Sequence, residues 1–318
     1  MKSLILLLTF GIVVHNVKAQ GPEMAKAIVH YKFSHLRDTT QKDKPYTENM
    51  VLFLGSTTSA YKSYDRKLQD AMMKKQIEQQ LAEQKGSGNV NIKVTGSRPT
   101  TRVEYYQFAA KEQLVRKENL ITPYLIEEPM PIINWKISAD TATFGTLLCQ
   151  KAMGHFKGRN YTAWFCPDLP FHAGPWKLNG LPGLIVEAYD TNKEVVFKFD
   201  GMEQVTASDK PVVAAEPAPG QGGTIIKMGG PDDNTDPNLI ALPTDAVKTT
   251  EKEFDRLQAA MRKDPQAFMA AMGGGNAAMR PGGQGPGAGG GDRVVRSVVI
   301  NSGTPDVINN PIELLEKK

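Results

Sequence analysis

Residues 146–166 read Thr-Leu-Leu-Cys-Gln-Lys-Ala-Met-Gly-His-Phe-Lys-Gly-Arg-Asn-Tyr-Thr-Ala-Trp-Phe-Cys, and this stretch decides the fold. Two strand-like runs flank a polar, glycine-bearing centre, the pattern of an antiparallel hairpin. With Lys157 and Gly158 as the two turn residues, paired positions sum to 315, which sets Cys149 opposite Cys166. Opposed residues hold their Cβ atoms about 4.5–5.5 Å apart, close to the ~3.5–4.5 Å that a disulfide needs. The register therefore predicts a Cys149–Cys166 crosslink, the alternative being two free buried thiols.

On both sides of this hairpin the strand pattern continues. Residues 25–34 alternate apolar and polar, as a half-buried strand does. Met50–Leu54 reads as a buried strand, and Arg102–Phe108, Gln113–Glu118 and Ile132–Ile137 as further ones. Leu184–Tyr189 and Glu194–Asp200 form another hairpin across Asp190–Lys193. One helix interrupts, at Tyr61–Gln84, with Leu68, Met72, Ile77 and Leu81 as its apolar stripe. Strand after strand at short spacing favours a mainly β, α+β chain. The expected core is an antiparallel twisted sheet or half-barrel, built from residues 20–205 and 293–318, with one or two peripheral helices.

Residues 206–292 differ in kind. The first part is rich in Pro, Gly, Ala and Asp without periodicity. Residues 249–272 read as a helix capped by Thr250, with Glu253 completing a capping box and Asp264-Pro265 interrupting it. Residues 273–291 carry ten glycines in nineteen positions, the composition of a flexible tether. Arg293–Asn301 is again strand-like and is expected to return to the sheet, which makes 206–292 an insertion.

The chain has 318 residues, with 38 basic against 34 acidic side chains. Such a balance argues against nucleic acid as a partner. Residues 1–19 combine Lys2, an apolar run from Leu4 to Val14, and Val17-Lys18-Ala19 before Gln20. That is the pattern of a secretory signal peptide, and the run is shorter than the ~20 residues a bilayer span needs. The expected mature protein is exported without a membrane span, and export lets a disulfide persist.

Tyr161–Phe165, Pro167–Pro170, Gly174-Pro-Trp-Lys-Leu178 and Gly180-Leu-Pro-Gly-Leu-Ile185 together resemble the GLPGLI family of exported proteins of Gram-negative bacteria. Asn310-Pro-Ile-Glu-Leu314 is similar to that family's usual ending. The resemblance implies a periplasmic or extracellular location and no characterised activity. Two features depart from it: Cys166, where members usually carry Thr or another residue, and the glycine-rich insertion.

The residues singled out by this motif are Trp164, Pro175, Trp176, Gly180, Leu181, Pro182, Gly183, Leu184 and Ile185. Leu181-Pro-Gly-Leu184 suits a type II turn, with Pro at its second position and Gly at its third. The block reads either as a rigid loop shaping a ligand mouth or as a tight connection orienting the strand from Leu184.

No signature of a cofactor or metal site is present. His30, His35, His155 and His172 form no His-x3-His pair, and no Cys-x2-Cys occurs. Asp232-x-Asn234-x-Asp236 begins like a calcium loop, but Pro237 and Pro243 stand where Gly and Glu are required. The thirteen methionines read as packing residues. Asp168, Glu187 and Asp190 are candidate carboxylates for acid–base chemistry. The leading expectation is a non-enzymatic envelope protein that binds an apolar ligand or an envelope partner in a β-sheet groove lined by Tyr161, Trp164, Phe165, Phe171 and Trp176. The alternatives are a hydrolase-type enzyme without a recognisable motif and a structural or assembly factor acting through the 61–84 helix or the 206–292 segment.

Overall fold

The structure, a computed structural model, describes residues 22–83, 89–94, 98–205, 236–273, 294–300 and 307–316. The expected signal peptide, the Asp232–Asp236 run up to residue 235, and nearly all of the 273–291 tether lie outside them. In chain order the strands are β1 (Glu23–Met24), β2 (Ala27–His35), β3 (Tyr46–Leu54) and β4 (Thr58–Ser63), followed by helix α1 (Tyr64–Glu83). Then come β5 (Asn89–Val94), β6 (Glu104–Phe108), β7 (Gln113–Asn119), β8 (Pro123–Pro129), β9 (Lys136–Phe144), β10 (Leu147–Phe156), β11 (Arg159–Cys166), β12 (Leu184–Asp190) and β13 (Val195–Gln204). The last are β14 (Leu239–Ile240), β15 (Val247–Thr249), α2 (Glu251–Lys263), α3 (Pro265–Gly273) and β16 (Val294–Ile300).

Twelve strands form one sheet in the order β15-β8-β7-β6-β4-β3-β2-β13-β12-β11-β10-β9. It is two meanders joined where β2 pairs with β13, antiparallel throughout except for β15 on β8, and it does not close into a barrel. The main core holds apolar residues of β2, β3 and β4 from one meander and β10 to β13 from the other, with residues 171–181 between them.

The β10–β11 hairpin has the expected register, with Gln150 opposite Phe165 and Phe156 opposite Arg159. Lys157 and Gly158 both take positive φ (51° and 71°), the two-residue turn whose twist matches that of the strands. A disulfide joins Cys149 to Cys166 across a Cα–Cα distance of 4.2 Å. Thr250 caps α2, its hydroxyl accepting from the Glu253 amide, and the helix breaks at Asp264-Pro265.

Four expectations are corrected. Tyr61 belongs to β4, and the helix begins at Tyr64. Its four apolar residues form no stripe: at about 100° per residue, Ile77 and Leu81 lie on the side opposite Leu68 and Met72. Leu68 and Met72 are exposed, and Asp65 in the first turn is the buried residue, bonded to Asn49 and Arg98. The Ile132–Ile137 strand is displaced to β9: Pro131, just past the end of β8, has no N–H to donate to a ladder, and 130–135 are irregular. β8, absent from the reading, precedes that break. β16 does not rejoin the large sheet; it pairs in parallel with β5 in a separate two-stranded sheet. β5 is Asn-Val-Asn-Ile-Lys-Val, a period-two run hidden by the glycines before it.

Part of the 206–292 segment is built onto the body. β14 pairs with β1, β15 extends the large sheet, and Phe254 of α2 is buried against Tyr124, with ring centroids 5.7 Å apart.

Candidate functional site

The motif block connects β11 to β12 and runs through the core. Pro175–Leu178 closes a turn, the Leu178 amide donating to the Pro175 carbonyl at 3.1 Å. Trp176 sits at φ +56° within it, a conformation that costs a bulky residue energy. The turn delivers the indole into the core, 2% exposed. It stacks on Phe197 of β13 (6.3 Å, 14°) and meets Phe156 and Tyr161 at 5.5 and 6.4 Å. Aromatic pairs at such spacings add to the burial energy of each ring. Its carbonyl accepts from Gln107 of β6 at 3.4 Å, so one residue touches both meanders.

Gly180 takes φ +87°, which the missing side chain permits. Gly183 is required by contact instead: a Cβ there would overlap the Cys166 carbonyl. The turn is not type II. The Gly183 amide donates to the Leu181 carbonyl at 2.8 Å, two residues back, a three-residue turn centred on Pro182. Leu181, Leu184 and Ile185 are buried, and Tyr31 of β2 donates to the Ile185 carbonyl at 2.6 Å. Trp164 is half-buried at the margin of this core, beside Phe144 at 5.9 Å. Pro175 is buried and Pro182 exposed. Tyr161, Phe165, Phe171 and Trp176, the expected groove lining, are thus packed core. The Tyr61 and Tyr161 hydroxyls have no hydrogen-bond partner among the described residues. The Trp176 indole N–H influences the Tyr105 hydroxyl without completing a bond of normal geometry.

A polar cluster that the sequence reading missed sits at one end of this core. Arg159, the first residue of β11, is buried, and all five of its N–H groups are used. Nε donates to the Ile312 carbonyl at 3.0 Å. One terminal nitrogen bonds Asp190 at 2.6 Å and Glu194 at 3.0 Å; the other bonds Asn310 Oδ1 at 2.7 Å and the Pro311 carbonyl at 2.8 Å. The segment 307–316 is thereby strapped to the sheet. His35 Nε2 lies 2.8 Å from the Asn310 carbonyl, the proper distance for donation. Burial, aided by Arg37 and Arg159, pushes its pKa down to about 4, against the opposing pull of that carbonyl and of Asp190. Lys177, buried next to Trp176, bonds Glu128 at 3.0 Å and Glu313 of the strap at 2.9 Å. Burial alone would raise the Glu313 pKa, but Lys177 and Lys157 together hold it below the usual range.

The three candidate carboxylates do not converge. Asp168 is exposed on the loop. Glu187 is half-buried, its pKa raised by burial and partly restrained by the Phe199 amide. Asp190 is committed to Arg159 and to the Val195 amide at 3.0 Å. Among the described residues, no group of three His, Cys, Asp or Glu side chains is placed to hold a metal ion. No helix among them is long and apolar enough to cross a membrane. Two surface depressions have mixed polar and apolar linings: one of about 420 Å³ by Lys111–Gln113 and Glu127–Pro129, one of about 280 Å³ by Arg37, Asp38, Gln41, Lys44, Tyr46 and Val307.

The model of a family described as a protein of unknown function, Porph_ging, matches residues 155–187, the span from the Arg159 turn through the motif block. No curated protein matches the chain. Two solved structures of PNGF-II, in space groups P21 and C2, are similar at a TM-score of 0.40 and 12% identity over 57% of this chain. The chain spans 29% and 28% of their lengths.

Proposed function

We propose that this chain is an exported, non-enzymatic protein of the GLPGLI type that binds another component of the cell envelope through the edge of the sheet formed by its β9–β10 hairpin. The observation that carries this reading is the placement of apolar side chains. The aromatics near the motif are consumed by the core, whereas Ile132 (90%), Ile137 (47%), Leu148 (56%) and Met153 (47%) stand exposed at the β9 end of the sheet. They flank both faces of this edge, Ile137 on the side of its partner Ala152 and Met153 on the other, and apolar residues concentrated at one place on the surface mark interaction sites. β9 is also a sheet edge, and its charged Lys136 and Asp140 guard against indiscriminate strand pairing. The leader-like residues 1–19 and the disulfide support export.

A photoreactive amino acid at Leu148, in cells exporting the full chain, tests the proposal. A discrete covalent adduct in the envelope fraction, lost when Ile137 and Met153 are changed to Asp, is expected. Absence of an adduct, together with one equivalent of a lipid-like molecule extracted from the purified protein, would favour the apolar-ligand reading.

A further inference from the structure

The strap at 307–316 joins no strand ladder, yet it is read in sequence-specific detail. The Asn309 and Asn310 amides both donate to the Arg37 carbonyl at 3.0 Å, and the Leu314 amide to the Lys157 carbonyl at 3.0 Å. Asn310 is 6% exposed, and its side-chain amide donates to the Leu36 carbonyl at 2.8 Å while its oxygen takes a bond from Arg159. Glu313 answers Lys157 at 3.0 Å as well as Lys177. Gly158 is shaped to the strap, since a Cβ there would stand 2.7 Å from that of Leu314.

The groups that receive the strap belong to the sheet and the motif block, and none adjoins it in sequence; Glu194, the nearest, is 116 residues from Asn310. The β2 end, the β10–β11 turn and the buried Arg159–Asp190 pair are held by ladder bonds of their own and by a core to which the strap adds one partly buried side chain, Ile312. We infer that the cradle between Leu36–Arg37 and Lys157–Arg159 is a peptide-binding site for an Asn-Pro-Ile-Glu segment, filled by the chain's own strap and equally by that of a second copy. The occupant's chemistry is fixed, because the segment seated there is the one a second copy presents. Exchange unpairs no strand, the condition under which swapping an identical element between copies is cheap.

Full-length mature protein in isotopically light and heavy forms tests this directly. After mixing and incubation, a zero-length carbodiimide reagent converts the Lys157–Glu313 ion pair into an amide with loss of water, and mass spectrometry reads the label on each linked peptide. Mixed-label pairs, increasing with protein concentration, are expected. A synthetic peptide of residues 307–316 in excess should take the same link to Lys157, and its Asn310→Ala form should lose most of it. Same-label pairs alone at every concentration, with no capture of the peptide, would overturn the inference. Absence of the Lys157–Glu313 link altogether would overturn it too, since the strap would then not occupy the cradle in solution.

Discussion

Replacing Arg159 by Ala should be among the most damaging single changes in the protein. Its side chain and that of Asp190 are 3% and 4% exposed. Without the guanidinium, Asp190 keeps only the Val195 amide, and Asn310 Oδ1 and the Pro311 and Ile312 carbonyls lose their donor. Breaking a buried ion pair by removing one partner costs about 3–5 kcal/mol. Glu194, 25% exposed, is re-solvated and adds little. Against a typical stability of roughly 5–15 kcal/mol, a loss of about 4 kcal/mol is a large fraction. In a chain of this size each kcal/mol moves the midpoint by about 2–4 °C, so the transition should fall by roughly 8–16 °C. Arg159→Lys should recover little, because one ammonium with three donors cannot span acceptors arranged for a planar fork. The double variant Arg159→Met/Asp190→Asn should lose less than Arg159→Ala, since no uncompensated charge remains. Urea and thermal unfolding of the disulfide-intact protein provide the assay. A loss under about 1 kcal/mol for Arg159→Ala, the level of an exposed pair, would refute the reasoning.

Three further changes have defined outcomes. Gly183→Ala places a methyl group on the Cys166 carbonyl, whereas Gly145→Ala meets nothing within 4 Å and bears only its positive φ; urea midpoints should show a cost of about 1–2 kcal/mol at Gly145 and a clearly larger one at Gly183. His35 has a folded-state pKa of about 4 against 6.5 when unfolded, so the unfolded chain binds the extra proton first. Its contribution is complete above pH 6.5 and lost as pH falls towards about 4, and the stability difference between wild type and His35→Gln should narrow over that window; a pH-independent difference would contradict it. Cys149→Ser or Cys166→Ser should cost about 3 kcal/mol on the chain-entropy account, and thiol titration of unfolded, unreduced wild type should find no reactive thiol.

The parts of the fold legible in the sequence are those fixed by neighbours along the chain. The β10–β11 register follows from a two-residue turn that tolerates positive φ at Lys157 and Gly158, and α2 follows from the Thr250–Glu253 capping box. Alternation marked β2, and two strand-like runs about the polar turn Asp190–Lys193 marked the β12–β13 hairpin. The displaced β9 shows the limit: Ile132 and Ile133 look like strand residues, but Pro131 before them has no N–H to donate to a ladder. The α1 stripe failed for a geometric reason, spacings of four and five residues that wind around the helix. The motif residues were visible, but not that the block would be swallowed by the core, because that depends on Phe197 and Gln107 arriving from separate meanders. The Arg159 cluster was the least legible. It joins positions as far apart as His35 and Asn310, 275 residues, and its only local signal is a charged residue directly after the turn glycine.

The account turns on the Gly174–Ile185 block being a fixed piece of the core and not the rim of an opening. Amide hydrogen exchange on the purified protein tests this at single residues. The Leu178, Gly183 and Ile185 amides, bonded to the Pro175, Leu181 and Ala173 carbonyls, should exchange only with the opening that releases β12, over hours and not seconds. Exchange of these three within seconds, while the amides of β11 and of β12 beyond Ile185 stay protected, would show that the block opens independently as a mouth and would contradict the account.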